Sequence, residues 1–205
     1  MSEVRLVLAT HNEHKVGELR AILAPVLPAL DPASVVGARD VGAPEPVEDG
    51  LTFAENALIK ARALAQFTGL PAVADDSGLS VDVLGGSPGI FSARWAGRHG
   101  DDRANLDLLL AQLADIAPEH RGARFVCAAA LVTPDGFEHV ETGTLEGALE
   151  TVPRGTHGFG YDPILVPTGE SRTCAELTPQ EKNAISHRGT AFRALVPTLV
   201  RVLGG

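Results

Sequence analysis

The sequence has no apolar stretch of about 20 residues, so we do not expect the chain to cross a membrane. The apolar run at residues 4–9 is too short for a signal peptide, which makes the cytoplasm the expected location. Aromatic residues make up only 4% of the chain, so the core must be built mainly from Leu, Val, Ile and Ala. At 205 residues, the chain is long enough to form one domain with a substantial core.

Cysteine and positive charge are also scarce. The two cysteines, Cys127 and Cys174, form neither a disulfide framework nor a CxxC metal site. The chain has 17 Lys and Arg residues against 26 Asp and Glu, a net charge of −9, so we expect no general attraction to nucleic acids or anionic membranes. An anionic small substrate would need a local cluster of cations or a metal ion.

Several common catalytic motifs are missing. The sequence contains no GxxxxGK[ST], GxGxxG or HExxH motif. It also lacks the alternating Asp-x-Asp pattern expected of an aspartyl-phosphate phosphatase. The chemistry must therefore come from another combination of residues.

The hydrophobic pattern predicts one α/β domain over residues 1–205. Thr52 followed by Glu55 is a capping-box signature and predicts the start of a helix. Predicted strands and helices alternate, and two long strands in the second half are expected to pair antiparallel, which favours a mixed sheet over a purely parallel one. The predicted strands cover residues 4–9, 71–74, 79–83, 123–132, 137–149 and 161–166, with helices near residues 16–23, 52–68, 102–113 and 190–203; residues 30–46 look irregular.

Asp75 and Asp76 are the strongest candidates for chemistry. They follow the apolar segment 71–74, and Ser77 and Gly78 predict a turn that ends this strand. Burial of either carboxylate without a cation would be costly. Mg²⁺ is the suitable cation because it binds a few carboxylates together with water and phosphate oxygens. The alternative is an acidic turn that binds no metal.

A second candidate segment lies where the first strand meets the first helix. Backbone N–H groups at a helix N-terminus attract anions, and Lys15 adds a positive charge. An ordinary capped helix with a surface lysine would have the same pattern. The segment consists of Thr10, His11, Asn12, Glu13, His14 and Lys15.

Polar residues around the second helix extend the candidate site. Glu48 precedes this helix and could supply a third carboxylate, whereas Glu55 is better explained as the capping partner of Thr52. Asn56 and Lys60 lie one turn apart on one helix face, within reach of a common ligand. Either could equally belong to a solvated surface.

An aromatic residue between two glycines marks the C-terminal part of the chain. Phe159 lies between Gly158 and Gly160, followed by Tyr161 and Asp162. A ring flanked by residues without side chains is open to stack on a planar ligand such as a purine. The alternative is a glycine-rich turn with a buried Phe.

Lys182, His187 and Arg188 then precede the predicted last helix. A guanidinium such as that of Arg188 can donate a forked pair of hydrogen bonds to a carbonyl or phosphate group. These three residues are therefore further candidates for ligand binding.

Together, five segments closely resemble the inosine triphosphatase family, the non-standard purine nucleoside triphosphate pyrophosphatases (XTP/dITP diphosphatases). They occur in the family's order with compatible spacing, and they span the chain from near its start almost to its end. The segments are residues 8–15, 48–57, 74–79 continuing to 88–90, 158–163 and 182–189.

The resemblance implies an elongated mixed α/β fold of two lobes, with the substrate in the cleft between them. It also implies a homodimer and dependence on Mg²⁺. The implied reaction is hydrolysis of ITP, dITP and XTP between the α- and β-phosphates, which yields a nucleoside monophosphate and pyrophosphate. Such an enzyme removes non-standard purines from the nucleotide pool.

The resemblance also assigns roles to residues. Asp76 would be the general base and a Mg²⁺ ligand, with Glu48 and Asp75 as further metal carboxylates. Residues 10–15 would hold the phosphates, although His11 falls at a variable position and receives no catalytic role. Other predicted substrate contacts are Asn56, Lys60, Ser77, Phe159, Gly160, Tyr161, Asp162, Lys182, His187 and Arg188.

Two other functions remain open at this point. A phosphatase acting on another phosphorylated metabolite would release only orthophosphate. A nucleotide-binding sensor would bind its ligand without turnover, but it would not need the carboxylates Glu48, Asp75 and Asp76 together with Lys15.

Overall fold

The structure is a computed structural model that describes residues 3–10 and 13–204, without the side chains of residues 13–15 and 18. Six strands and five helices account for most of this part of the chain. The strands are β1 (Leu6–Leu8), β2 (Val35–Gly37), β3 (Ala72–Val81), β4 (Gly122–Val132), β5 (Glu138–Leu149) and β6 (Leu165–Pro167). The helices are α1 (Glu13–Leu23), α2 (Phe53–Thr68), α3 (Asp102–Gln112), α4 (Pro179–Ile185) and α5 (His187–Leu203), with short 3₁₀ helices between some of them.

The strands form one mixed sheet in the order β2-β1-β3-β4-β5-β6. β1 pairs parallel with both β2 and β3, whereas β5 and β6 pair antiparallel. The predicted mixed α/β class is therefore confirmed. None of the helices in the described residues is long and apolar enough to cross a membrane.

The chain divides into two compact units. The first comprises Met1–Asp76, Cys127–Gly143 and Arg188–Gly205, and the second comprises Ser77–Val126 and Thr144–His187. β3, β4 and β5 each contribute residues to both units. The predicted cleft between two lobes stays a prediction.

The core of the first unit follows from the two-residue period of its strands. Leu6 and Leu8 pack on one side of the sheet with α1 and α5, whereas Val7 packs with α2 on the other. The same alternation places Val73 with α5 and Ala74 with α2. Because successive strand residues point to opposite faces, one short apolar strand contributes to the apolar clusters on both faces of the sheet.

The second unit has its own core around α3. Leu106, Leu109 and Leu113 are buried against residues of the second halves of β3 and β5 and the first half of β4, including Leu79, Leu145 and Phe125. The helical spacing of the leucines, which predicted α3 from the sequence, therefore marks its buried face.

The predicted start of α2 is confirmed. The Thr52 hydroxyl accepts from the Glu55 N–H at 3.1 Å, and the Glu55 carboxylate accepts from the Thr52 N–H at 3.1 Å. The helix ends at Thr68, and the next residue, Gly69, has the left-handed φ of 68° that favours glycine. Glu55 thus has the capping role that the sequence assigned to it.

The strand around the two adjacent aspartates is longer than predicted. The sequence predicted a break at residues 75–78 and a return at residues 79–83, but β3 runs without interruption from Ala72 to Val81. The prediction was wrong because cations contact both Asp75 and Asp76, which allows these carboxylates to lie within a strand.

Four other elements also differ from prediction. β2 lies in the segment that looked irregular, and its three residues pair with β1 at the sheet edge. α4 was not predicted, and α5 begins at His187, three residues earlier than expected. Only the end of the predicted strand at residues 161–166 is extended, because β6 begins at Leu165.

Candidate active site

The geometry of β3 separates the two adjacent carboxylates. Continuing the alternation of Val73 and Ala74, Asp75 points to the face covered by α5 and Asp76 to the face covered by α2. Their hydrogen bonds follow this division, since Asp75 pairs with Arg188 of α5 and Asp76 pairs with Lys60 of α2. Residues adjacent in the sequence therefore have different surroundings.

Three polar side chains surround Asp76. Lys60 Nζ lies 3.3 Å from Asp76 Oδ1 and 3.1 Å from Glu48 Oε2, so one ammonium group bridges two carboxylates. Asn56 Nδ2 donates to Asp76 Oδ2 at 3.3 Å. The structure thus brings together Glu48, Asn56, Lys60 and Asp76, and it excludes the alternative that Asn56 or Lys60 belongs to a solvated surface.

The surroundings raise the pKa values of both Asp76 and Lys60, for different reasons. Burial raises the pKa of Asp76 above its usual value; Lys60 and Asn56 oppose this increase, and the Glu48 charge adds to it. Burial lowers the pKa of Lys60, but the charges of Asp76, Glu48 and Asp75 outweigh burial, so this pKa is raised overall. Lys60 is therefore held as a cation beside a carboxylate that is a stronger base than an exposed one.

Asp75 is more deeply buried. Its side chain is only 2% exposed, and its Oδ2 accepts a hydrogen bond from Arg188 Nε at 3.0 Å. Arg188 is the second residue of α5, so this ion pair ties the start of the last helix to the centre of β3. A role for Asp75 as a metal ligand stays a prediction.

The glycine-rich loop in the second unit is organised by Asp162. This residue is 2% exposed, and its Oδ2 accepts from the Phe159 N–H at 2.8 Å and from Lys182 Nζ at 2.5 Å. Gly158 has a φ of 77°, and a Cβ there would lie only 2.0 Å from Asp162 Oδ2. The loop therefore needs glycine at this position.

The aromatic ring on this loop is open to solvent. Phe159 is 65% exposed, and Lys182 Nζ lies 5.2 Å from the centre of its ring. The alternative of a buried Phe in a glycine-rich turn is wrong. A cavity of about 290 Å³ borders the loop and is lined by Asp102, Arg103, Leu106, Pro153, Gly155, Phe159, Gly160 and Pro163.

Tyr161 and Gly160 anchor the same loop. Tyr161 is buried, its hydroxyl donates to the Ser92 carbonyl at 2.9 Å, and burial raises the pKa of this phenol. The Gly160 N–H donates to Asp102 Oδ2 at 2.9 Å. Tyr161 therefore supports the loop from the core, and its hydroxyl is hydrogen-bonded to the backbone of Ser92.

The remaining predicted contacts lie on several elements. Thr10 is buried just after β1, and its carbonyl accepts from the Ala38 N–H at 3.1 Å. Ser77 is half-buried within β3, and the His187 ring stacks on Phe125 with 5.1 Å between the ring centres. The backbone of residues 13–15 forms the start of α1, but the side chains of Glu13, His14 and Lys15, together with all of His11 and Asn12, lie outside the described residues.

Two residues near the site were missed by the sequence reasoning. The Gly50 N–H donates to Asn56 Oδ1 at 2.9 Å, and Asp102 holds Gly160 as described above. Gly50 could have been found, because it follows Glu48 and Asp49 directly before the capping box. Nothing local in the sequence indicates the contact between Asp102 and a loop 58 residues away.

The family model described as "Ham1 family" matches residues 6–198. This match covers almost the whole chain. The chain belongs to the Ham1 family. A Streptomyces coelicolor member named dITP/XTP pyrophosphatase is 69% identical over 201 residues, which cover 98% of this chain and 99% of that relative. A Corynebacterium efficiens member with the same name is 56% identical over 208 residues, covering 98% and 100%.

Solved structures of Ham1 family members have the same fold. The crystal structure of a nucleoside-triphosphatase / dITP/XTP pyrophosphatase from Mycobacterium abscessus is 53% identical, with a TM-score of 0.79 over 95% of this chain and 100% of that chain. A HAM1 protein from Coxiella burnetii is 40% identical, with a TM-score of 0.86 over 97% and 99%. The resemblance noted from the five sequence segments is thereby confirmed.

Proposed function

We propose that this Ham1 family member hydrolyses ITP, dITP and XTP to the nucleoside monophosphate and pyrophosphate, in a Mg²⁺-dependent reaction. The observation that carries this proposal is the pair Glu48 and Asp76, which shares one cation beside α2. The names of the relatives from Streptomyces coelicolor and Corynebacterium efficiens support the choice of substrates.

The residues present fit a magnesium ion. Glu48 and Asp76 both contact the ammonium of Lys60, so both already face one positive charge. Mg²⁺ in nucleotide sites is held by one or two carboxylates together with phosphate oxygens and water. We therefore assign Glu48 and Asp76 as its ligands, with Asp75 a further candidate that is bound to Arg188. The chemistry that Mg²⁺ supplies here is neutralisation of the phosphate charge.

Asp76 is the proposed general base. Hydrolysis of a phosphoanhydride requires a water molecule to lose a proton as its oxygen attacks phosphorus. Asn56 and Lys60 hydrogen-bond to the Asp76 carboxylate and so orient the group that would accept this proton. Lys60 remains cationic beside it and limits the repulsion between Asp76 and Glu48.

The loop at residues 158–162 is the proposed site for the purine. Phe159 offers an exposed ring for stacking, and Asp162 fixes the backbone that carries it. A backbone N–H donor of this loop would pair with the 6-oxo oxygen of hypoxanthine or xanthine. The amino group of adenine would leave a donor facing a donor, and such a mismatch can discriminate by about 10⁴-fold.

A panel of nucleoside triphosphates tests this function. With Mg²⁺, the purified chain should release pyrophosphate from ITP, dITP and XTP much faster than from ATP, and chelation of Mg²⁺ should stop the reaction. Release of orthophosphate alone would favour the phosphatase alternative. Calorimetric binding of ITP without turnover would favour a sensor.

Assembly and location are further parts of the proposal. We propose a homodimer, as the resemblance implies, and light scattering of the purified chain at micromolar concentration should give twice its 21.4 kDa mass. We propose a cytoplasmic location because the enzyme would act on the nucleotide pool, and cell fractionation would test it.

A further inference from the structure

Asn56 differs from its neighbours Glu48, Lys60 and Asp76 because its side chain is almost fully buried. It is 2% exposed and is the fourth residue of α2. Both ends of its carboxamide are used, since Oδ1 accepts from the Gly50 N–H at 2.9 Å and Nδ2 donates to Asp76 Oδ2 at 3.3 Å. One side chain therefore joins the segment that carries Glu48 to the strand that carries Asp76.

The backbone at Gly50 is shaped for this contact. A Cβ at Gly50 would lie 2.6 Å from Asn56 Oδ1 and 2.8 Å from Glu55 Cβ, both too close. Gly50 is not among the glycines with positive φ, so the lack of a side chain serves this close approach and not a left-handed turn. The capping box of Thr52 and Glu55 fixes the helix end from which Asn56 projects.

The link acts on the residues that would bind metal. Glu48 itself lies outside any helix or strand, and its side chain is 37% exposed. Without the tie between Gly50 and Asn56, the ion pair with Lys60 would have to hold Glu48 beside Asp76. A divalent cation would compete with that ammonium for the same oxygens, so the segment needs another anchor.

We propose that Asn56 is a positioning residue that sets the separation of Glu48 and Asp76 for a divalent cation, and that it does not contact the nucleotide. This inference rests on the proposed function, because it takes Glu48 and Asp76 as metal ligands. It replaces the interpretation of Asn56 as a substrate contact, which its burial and its two hydrogen bonds disfavour.

Two variants break the link from opposite ends. Asn56→Ala removes both hydrogen bonds, and Gly50→Ala forces a Cβ against Asn56 Oδ1. Asn105→Ala is the matched control. Asn105 is the fourth residue of α3, is 1% exposed, and likewise binds backbone groups of the preceding segment, the Ala96 N–H at 2.7 Å and the Ala93 carbonyl at 3.1 Å.

The test measures Mn²⁺ binding to the full chain by electron paramagnetic resonance, without nucleotide, alongside ITP kinetics at varied Mg²⁺. Both site variants should bind Mn²⁺ about 10–100-fold more weakly, the range for loss of a group that orients a metal ligand. Turnover should recover towards that of the unmodified chain at saturating Mg²⁺, with an unchanged KM for ITP. Asn105→Ala should change neither Mn²⁺ binding nor the Mg²⁺ requirement.

The outcomes separate this inference from the proposed function. Normal Mn²⁺ binding by Asn56→Ala, or a raised KM for ITP that saturating Mg²⁺ does not correct, would overturn the positioning role alone. Absence of Mn²⁺ binding by the unmodified chain would overturn the metal site and this inference with it. If Asn56→Ala fails to fold, Gly50→Ala decides by the same measurements.

Discussion

Arg188 Nε donates a hydrogen bond to Asp75 Oδ2 at 3.0 Å, and this bond links two residues that are 113 positions apart in the sequence. The next carboxylate, Asp76, points to the opposite face of β3 and contacts Lys60 instead. The two aspartates therefore have different structural roles. Asp75 orders Arg188 and the start of α5, and Asp76 belongs to the proposed reaction centre.

Asp75→Asn should destabilise the fold. The Asp75 side chain is 2% exposed and that of Arg188 is 14% exposed, so the change weakens a largely buried ion pair at a cost of about 3 kcal/mol in the free energy of unfolding. Asp107→Asn is the control, because its pair with Arg103 on α3 is exposed and worth only about 0.5 kcal/mol. Urea unfolding measures both. Equal losses in the two variants would contradict the structural role of Asp75.

Asp76→Asn should make the chain more stable at pH 7 without Mg²⁺. Burial raises the pKa of folded Asp76 above the ordinary value of 3.8, so ionisation weakens the fold as pH rises through the folded pKa. Asparagine stays neutral and avoids this cost. The difference in unfolding free energy, measured in EDTA, should shrink as pH falls and vanish below 3.8. A variant less stable than the unmodified chain at pH 7 would refute the claim that burial of the ionised Asp76 carboxylate destabilises the fold.

Lys60→Met should increase the stabilisation that Mg²⁺ provides. Without the ammonium, Glu48 and Asp76 repel one another, so a divalent cation binds with less competition. Tenfold tighter binding would add about 3 °C to the Mg²⁺-induced rise in Tm. Arg62→Met, which removes a more exposed cation of α2 paired with Glu138, serves as the control and should leave that rise unchanged. The same rise in both variants would argue against a metal between Glu48 and Asp76.

Phe159→Ala should weaken substrate binding without weakening the fold. The ring is 65% exposed, and loss of a stacked base raises KM for ITP about tenfold. Phe91→Ala is closely matched, because Phe91 is 50% exposed and has the guanidinium of Arg94 5.4 Å from its ring centre. Steady-state kinetics should show a raised KM only for Phe159→Ala. A similar KM in both variants would remove Phe159 from the base site.

Features set by neighbouring residues could be predicted from the sequence. The capping box of Thr52 and Glu55 spans four positions, and Asp101 caps α3 through the Ala104 N–H, three residues away. In each case the residues that determine the structure lie within one turn of chain.

Features set by distant residues could not be predicted in this way. The sequence predicted that β3 would stop at its aspartates, because the cations that neutralise them come from positions 60 and 188. β2 has only three residues and depends on pairing with β1. Asn56 looked like a ligand or a surface residue, since its burial depends on Gly50 and on β3.

Asp76 is the proposed general base for cleavage of a 6-oxo purine triphosphate between its α- and β-phosphates. The most direct test follows ITP with Mg²⁺ by phosphorus NMR, using the unmodified chain and Asp76→Asn at equal concentration. We expect inosine monophosphate and pyrophosphate from the unmodified chain, and a rate about 10²–10⁴-fold lower from Asp76→Asn with ITP binding retained. Inosine diphosphate with orthophosphate, or normal turnover by Asp76→Asn, would contradict this proposal.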